Sequence, residues 1–249
     1  MIPLRASQCS IGSEELPMTM QVGMVGADGI VLAGDTRRTR CPELSLERPW
    51  MGGRFGEDGT KMQVSGDRKV AVSSALCLDT AERIGAAIIA RLDISKSFIR
   101  QDIEVIAKEV FGSNEKHHFQ CLVVVATDPK PRLFCLEDMN VEGEHTVVCQ
   151  ERNRLAVAGD TVNAAIFWAE LYYNQHQPTK RKAVKELVPL CAHLVVCAQS
   201  LNTATIGGLE MAICMNGAIE LQLADVTEPL AKRAEARAEA IARMVFNDE

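Results

Sequence analysis

The stretch TMQVGMVGADGIVLAGDTRRT, residues 19–39, decides the fold of this 249-residue chain. Its two apolar runs, MQVGMV and IVLAGD, flank the tetrapeptide GADG. The pair Asp28-Gly29 within it is a strong signal for a two-residue hairpin turn. The stretch therefore predicts that two antiparallel strands begin the fold.

Two polar residues at the ends of these strands, Thr19 and Asp35, are candidates for chemistry. If Asp28-Gly29 is the turn, Val22 lies opposite Asp35, and a turn shifted by one residue places Met20 there instead. Either register brings the Asp35 carboxylate near the strand end that carries Thr19. A threonine hydroxyl is a poor nucleophile at its own pKa, but the α-amino group of an N-terminal threonine can act as its base. The pattern therefore predicts a nucleophilic Thr19 with a free amine.

Met18 offers a route to that amine. An initiator methionine before a small residue such as Thr is of the kind that aminopeptidases remove, so a start at Met18 would expose Thr19. Alternatively, residues 1–18 form a cleaved propeptide. Self-cleavage before Thr19 would need a tight turn at position 18, which glycine allows and the bulky Met18 would crowd. We therefore expect residues 1–18 to be an N-terminal extension, with methionine removal favoured over autolysis.

Composition excludes several functional classes. Apolar side chains make up 47% of the chain and charged ones 24%, which is typical of one globular domain with a sizeable core. The net charge of −6 and the absence of a long Lys/Arg cluster argue against a nucleic-acid partner. Apolar runs are far shorter than the roughly 20 residues of a membrane-spanning helix, which predicts a cytoplasmic protein. The nine cysteines form no C-x-x-C pair, which predicts buried free thiols.

The remaining pattern predicts an ordered alternation of strands and helices. A long loop over 36–60 is followed by a hairpin, KMQVS and KVAVSSA, and by helices over 78–94 and 98–111. Four strand patterns then imply a second sheet: FQCLVVVATD, RLFCLED, HTVVCQE and LAVAGD. Helices over 160–175 and 180–201, two strands around Asn216-Gly217 and an amphipathic helix over 227–246 complete the chain. This order suits two stacked antiparallel sheets with helices on both outer surfaces.

Residues 19–39 are similar, without a gap, to the N-terminus of proteasome β-type subunits, including their bacterial relatives. The shared features are the Thr, a Val-Gly pair, the Asp-Gly turn, a VLAxD run and an R-x-T at this spacing. A coarser likeness extends to about residue 225 and includes ATIGGLEMAICMNGAIEL, which resembles the late Gly-Gly strand of that family. The resemblance implies an α+β fold, the four-layer αββα sandwich of the N-terminal-nucleophile (Ntn) hydrolases. It divides the chain into the extension 1–18, an Ntn-hydrolase domain over 19–227 and a C-terminal helix over 228–249 of unassigned role.

The resemblance also implies catalytic roles. Thr19 Oγ1 attacks a peptide carbonyl and the Thr19 amine shuttles protons. Lys61, in the TKMQVS segment and paired with Asp35, lowers the pKa of that amine through its positive charge. The backbone N–H of Ala75, at the position of the family's oxyanion-hole glycine, stabilises the tetrahedral oxyanion.

Further residues are assigned to substrate binding and support. The segment Arg37–Thr39 would pair with the substrate backbone as an added strand. Three side chains would line the pocket for the substrate side chain before the scissile bond: Gln63, Ser73 and Cys77. Around the amine, the family usually has a Ser-Gly pair and an Asp and a Ser, where this chain has Gly159-Asp160, Thr203 and Ile206. Asp160 and Thr203 could replace those polar contacts, whereas the Ile206 side chain cannot hydrogen-bond.

The prediction that follows is a threonine-type endopeptidase that cleaves unfolded polypeptides. The family assembles stacked rings, so a homo-oligomeric double ring is implied, with an ATP-dependent unfoldase as a possible partner. No organic cofactor or metal is predicted. Two alternatives stay open: a non-catalytic structural ring subunit, and an Ntn amidohydrolase that acts on a small amide.

Three other motifs are interpreted as structural. The cluster Cys191, His193 and Cys197 lies in an apolar helical stretch and matches no zinc spacing, which favours core packing. The pair His117-His118 is predicted to lie in a solvated loop before a strand. The segment GGRFGEDGTK, residues 52–61, lacks the phosphate-loop spacing and is predicted to be a flap beside the pocket.

Overall fold

A computed structural model describes residues 19–40, 55–112, 118–141, 144–159, 181–201 and 206–246. These residues form four helices: α1 (Leu78–Arg91), α2 (Ile99–Phe111), α3 (Val184–Leu201) and α4 (Ala224–Phe246). They also form twelve strands: β1 (Met20–Val25), β2 (Gly29–Gly34), β3 (Arg37–Arg40), β4 (Phe55–Asp58), β5 (Met62–Val64), β6 (Val70–Leu76), β7 (Phe119–Val125), β8 (Arg132–Val141), β9 (Glu144–Arg152), β10 (Leu155–Gly159), β11 (Glu210–Met215) and β12 (Ala218–Leu221).

The strands form two antiparallel five-stranded sheets. Sheet I has the order β10-β1-β2-β11-β12, and sheet II has the order β5-β6-β7-β8-β9. The short strands β3 and β4 pair separately. The predicted α+β class with two antiparallel sheets is therefore confirmed.

Three apolar cores explain why these strands are apolar on both faces. The core between the sheets contains Ile30 and Leu32 of sheet I and Leu122 and Leu133 of sheet II. Alternate strand residues point the opposite way, because successive side chains of a strand lie on opposite faces. A second core joins sheet I to α3 and α4, and a third joins sheet II to α1 and α2. This layering is compatible with the predicted αββα sandwich.

The helices bury the stripes that their sequences predict. Ile84 and Ile88 of α1 and Ile103 of α2 are fully buried against sheet II. Ala234 of α4 is buried against the core around α3, whereas Ile241 is half exposed. None of the described helices is long and apolar enough to cross a membrane. The predicted helix over 160–175 lies outside the described residues.

The first hairpin forms as predicted, but its turn differs. Val25 pairs with Ile30 and Gly26 N–H donates to Gly29 O, so the two turn residues are Ala27 and Asp28. Asp28-Gly29 as the turn is therefore wrong. Gly29 belongs to β2, where a Cβ atom would lie only 2.2 Å from Cys214 O of β11. The close approach of β11 requires this glycine.

Two further predictions need correction. The stretch 36–60 is not loop throughout, since β3 and β4 lie within it and pair antiparallel. Within the predicted flap 52–61, residues 55–58 form β4, and the position of this segment beside the pocket stays a prediction. The strand pattern LAVAGD does not belong to the second sheet, because β10 pairs with β1 of sheet I. This strand was assigned to the second sheet because it follows three strands of that sheet in the sequence. Its actual partner, β1, lies far away in the chain.

Candidate active site

Thr19, Asp35 and Lys61 meet where three strands begin or end. Thr19 precedes β1, Asp35 follows β2, and Lys61 precedes β5 of the other sheet. The β1–β2 register places Met20 opposite Asp35, as expected for a turn shifted by one residue from Asp28-Gly29. The Asp35 N–H donates to Met20 O over 3.0 Å. The three predicted residues therefore lie together between the two sheets.

The Lys61 ammonium group joins the other two side chains. Its Nζ lies 2.7 Å from Asp35 Oδ2 and 3.2 Å from Thr19 Oγ1. The second Asp35 oxygen, Oδ1, accepts a hydrogen bond of 2.9 Å from the Met20 N–H. The Lys61 side chain is 1% exposed and that of Asp35 is fully buried. Asp35 and Lys61 therefore form a desolvated ion pair, and the Thr19 hydroxyl lies beside the Lys61 ammonium group.

Burial acts on both members of the pair. It lowers the pKa of Lys61 below its ordinary value, because desolvation disfavours the charged amine, while the Asp35 charge opposes the shift. Burial likewise raises the pKa of Asp35, opposed by the Lys61 charge and hydrogen bond. Lys61 can therefore release its proton more readily than a lysine in water.

A second carboxylate, Glu210, holds the backbone of Lys61. Its Oε1 accepts a 2.8 Å hydrogen bond from the Lys61 N–H, and its Oε2 accepts one of 2.7 Å from Thr60 Oγ1. Burial raises the pKa of Glu210, and its charge in turn raises the pKa of Lys61. Glu210 was not predicted from the sequence, although an acid at the start of the apolar strand β11 is a signal that could have revealed it.

Gly159 leaves room for Thr19. Met20 pairs with Gly159 in the β1–β10 register, and a Cβ atom at Gly159 would lie 1.9 Å from Thr19 O. Its φ of +94° also favours glycine. The Gly159 N–H donates to Gln120 Oε1 over 2.7 Å, so sheet II fixes the end of β10 that faces Thr19.

Ala75 lies within β6, opposite Gln120, and its side chain is fully buried in the core between the sheets. Its role as the oxyanion donor stays a prediction. Ile206 is also fully buried, in the core of sheet I with α3. Asp160 and Thr203 lie outside the described residues.

The predicted substrate-binding residues are spread around this group. Arg37 opens β3, and its N–H donates to Gly207 O over 3.1 Å. Thr39 lies in the same strand, opposite Gly56. Ser73 is fully buried and its hydroxyl donates to Gln21 Oε1. Their roles in binding substrate stay predictions.

Two other residues assigned to the pocket lie near the start of α1. Gln63 donates to the Glu82 carbonyl of α1 over 3.4 Å. The Cys77 thiol lies 3.4 Å from Thr80 Oγ1. Both side chains are half-buried. All seven cysteines in the part of the chain that the structure describes are free thiols.

The two histidine motifs differ in outcome. Cys191 is fully buried in the core beneath α3, which confirms core packing for this residue. His193 and Cys197 are half-buried, and the Cys197 thiol lies 3.4 Å from His193 Nε2. His118 directly precedes β7, as predicted, and its side chain is 44% exposed. It also contacts Asp138, a contact that was not predicted from the sequence.

Comparison with models of protein families gave no match, and comparison with curated proteins gave none either.

Proposed function

We propose that this chain is an amide-bond hydrolase that uses Thr19 as an N-terminal nucleophile, of the kind found in proteasome β-type subunits. The observation that carries the proposal is the position of Lys61 Nζ, within hydrogen-bond distance of both Thr19 Oγ1 and Asp35 Oδ2. A nucleophile beside a positively charged group that a third side chain orients is an arrangement that supports covalent acyl transfer. The proposed substrate is unfolded polypeptide.

The proposed reaction begins with removal of the Thr19 hydroxyl proton. The freed Thr19 α-amino group accepts it, while the Lys61 ammonium group, held by Asp35, lies within hydrogen-bond distance of Oγ1 and stabilises its developing negative charge. Oγ1 then bonds to the substrate carbonyl carbon, and the C–N bond breaks as the Thr19 α-amino group passes the proton that it took from Oγ1 to the leaving amine. Water hydrolyses the resulting ester and regenerates the threonine. The Ala75 N–H is the proposed oxyanion donor.

The fold supports this proposal at a coarser level. Two stacked antiparallel sheets with helices on their outer sides are compatible with an Ntn-hydrolase sandwich. Thr19 stands at the start of β1, an internal strand of sheet I, and Lys61 reaches it from sheet II. Assembly into stacked rings, association with an unfoldase and a cytoplasmic location belong to the same proposal.

A second candidate function is that of a non-catalytic ring subunit. The observation that favours it is Ile206, a fully buried apolar side chain where the resembled family has a polar group near the amine. Without a polar side chain at this position, the ion pair of Asp35 and Lys61 would be structural only. The two candidates differ in what Thr19 does when its amine is free.

The first measurement is intact mass with N-terminal sequencing of the protein from its own host. We expect a chain that begins at Thr19. This material is then incubated with a fluorescent polypeptide library and with a β-lactone, an electrophile that acylates hydroxyl nucleophiles. We expect cleavage, and an acyl adduct on Thr19 located by mass spectrometry.

Variants separate nucleophilic from structural roles. Thr19→Ala should abolish cleavage and labelling, whereas Thr19→Ser should retain both. The control is Thr127→Ala, at a surface turn where the hydroxyl contacts only the Lys130 carbonyl among the described residues. If a chain that begins at Thr19 shows neither cleavage nor labelling, the non-catalytic function replaces the hydrolase. Light scattering in the same buffer measures whether a ring forms.

A further inference from the structure

We propose that His118, Asp138 and His145 form a binding site for a divalent metal ion of the zinc class. His118 precedes β7, Asp138 lies in β8, and His145 lies in β9. Nδ1 of His118 is 2.9 Å and Nδ1 of His145 is 2.7 Å from the same atom, Asp138 Oδ2. One ligand atom from each residue lies within 4.8 Å of the others. None of the three belongs to the Thr19 group, and the proposal does not depend on the hydrolase function.

The donor set suits such an ion. Two imidazoles and a carboxylate are borderline ligands that Zn²⁺ accepts, and three protein ligands leave a fourth position for water. Tetrahedral bonds of about 2.0–2.1 Å would place the ligand atoms about 3.3 Å apart. The observed separations from Asp138 are slightly shorter, so the imidazoles need to move outward by about half an ångström to give this 3.3 Å spacing. His118 can do so, since it precedes its strand and its side chain is 44% exposed.

The burial of Asp138 points to a cation. Its side chain is fully buried, and its Oδ1 has no hydrogen-bond partner within the described part of the chain. A buried carboxylate oxygen without a partner is costly, and a cation bound by both carboxylate oxygens would compensate that cost. The two imidazoles reach only Oδ2 in this structure.

Aromatic rings close one side of the site. The ring centroid of Phe111, the last residue of α2, lies 6.1 Å from that of His145 and 5.1 Å from that of Phe119. The rings of His118 and His145 lie 5.4 Å apart at 48°. The site is thus apolar behind and open on the imidazole side, where an ion can enter from solvent. A bound ion would tie the start of β7 to the β8–β9 hairpin.

The test is a calorimetric titration of the metal-free full chain with Zn²⁺ alone. We expect one equivalent to bind, with affinity at least tenfold weaker in His118→Ala and in Asp138→Asn. His118→Ala removes an exposed side chain, so it keeps the test valid if Asp138→Asn folds poorly. The control variant is His193→Gln. The His193 imidazole lies beside Cys197, away from the proposed site, so this variant should bind Zn²⁺ as the wild type does.

Two further readouts identify the ligands. Zn²⁺ should raise the Tm of the wild type and of the His193→Gln control by more than that of His118→Ala at the same Zn²⁺ concentration, because stabilisation by a ligand falls as its affinity for the folded protein falls. Bound Co²⁺ should show the visible absorption of nitrogen and oxygen ligands. Absence of Zn²⁺ binding by the wild type, equal affinity in the site variants, or a thiolate charge-transfer band would overturn the proposal. The three residues would then form a hydrogen-bonded His-Asp-His group.

Discussion

Replacing Lys61 by methionine tests whether the buried ion pair is as desolvated as its burial indicates. Methionine keeps most of the volume of the lysine stem and removes the ammonium group, so the change is chiefly electrostatic. Asp35 stays fully buried without its 2.7 Å hydrogen bond from Nζ, while its bond to the Met20 N–H is kept. Removal of one member of a buried pair typically costs about 3–5 kcal/mol of stability.

Protonation of Asp35 limits the stability that the Lys61→Met variant can lose. Loss of the Lys61 charge raises the pKa of Asp35 further, because burial stays and the opposing attraction is gone. The folded variant can then hold a proton that the unfolded chain releases above the ordinary value of 3.8. Each pH unit is worth about 1.36 kcal/mol, so the roughly 3 units up to pH 7 limit the electrostatic cost to about 4 kcal/mol. Stability of the variant therefore rises as the pH falls.

Urea unfolding of the wild type and of Lys61→Met at pH 7 and at pH 4 measures the effect. We expect a loss of about 3–4 kcal/mol at pH 7 and of less than about 1.5 kcal/mol at pH 4. Asp35→Asn added to the variant should recover most of the loss at pH 7. The control Lys130→Met, at an exposed turn, should change stability by less than about 0.5 kcal/mol. Equal losses at the two pH values would refute the desolvated pair.

Two other changes probe the surroundings of Thr19. Gly159→Ala should lower the free energy of unfolding by at least about 1–3 kcal/mol, because of its positive φ and the clash with Thr19 O. Gly66→Ala, where an added Cβ meets nothing within 4 Å, is the matched control, and equal urea midpoints for the two variants would contradict the clash. Glu210→Gln should lower the pKa of Lys61 further, since the Glu210 charge raises it, and NMR titration of the lysine Nζ measures this. Exposed Glu220→Gln should leave that pKa unchanged, and the same pKa in both variants would exclude a role for Glu210.

Structural features that depend on residues close together in the chain were predicted better than the pairing of distant strands. The stripes of Ile84 and Ile103, the hairpin at Asn216-Gly217 and the alternating strands all depend on residues near one another in the chain. Asn216 and Gly217 both have positive φ angles, as their hairpin signal requires. The turn of the first hairpin was misplaced because Gly29 serves a contact with β11, which local sequence does not reveal.

In the candidate site, too, a contact between residues far apart in the chain was the one that sequence did not predict. Thr19, Asp35 and Lys61 were predicted from a short stretch and a family resemblance, and the structure brings them within hydrogen-bond distance. Glu210 was missed, since its contact with Lys61 spans 149 residues. The contact of His118 with Asp138 was also missed, because His118 precedes β7 and Asp138 lies in β8.

The strand order of the two sheets has a consequence for synthesis on the ribosome. All five strands of sheet II follow one another in the chain, so each can pair with its predecessor soon after it leaves the exit tunnel. In sheet I, β1 and β2 emerge first, yet their outer neighbours are β10 and β11. The turn residue Asp28 even caps α3, accepting the Val184 N–H across 156 residues. The nascent N-terminal hairpin therefore exposes two unpaired edges until most of the protein is made, and we expect it to be the segment that chaperones bind during translation.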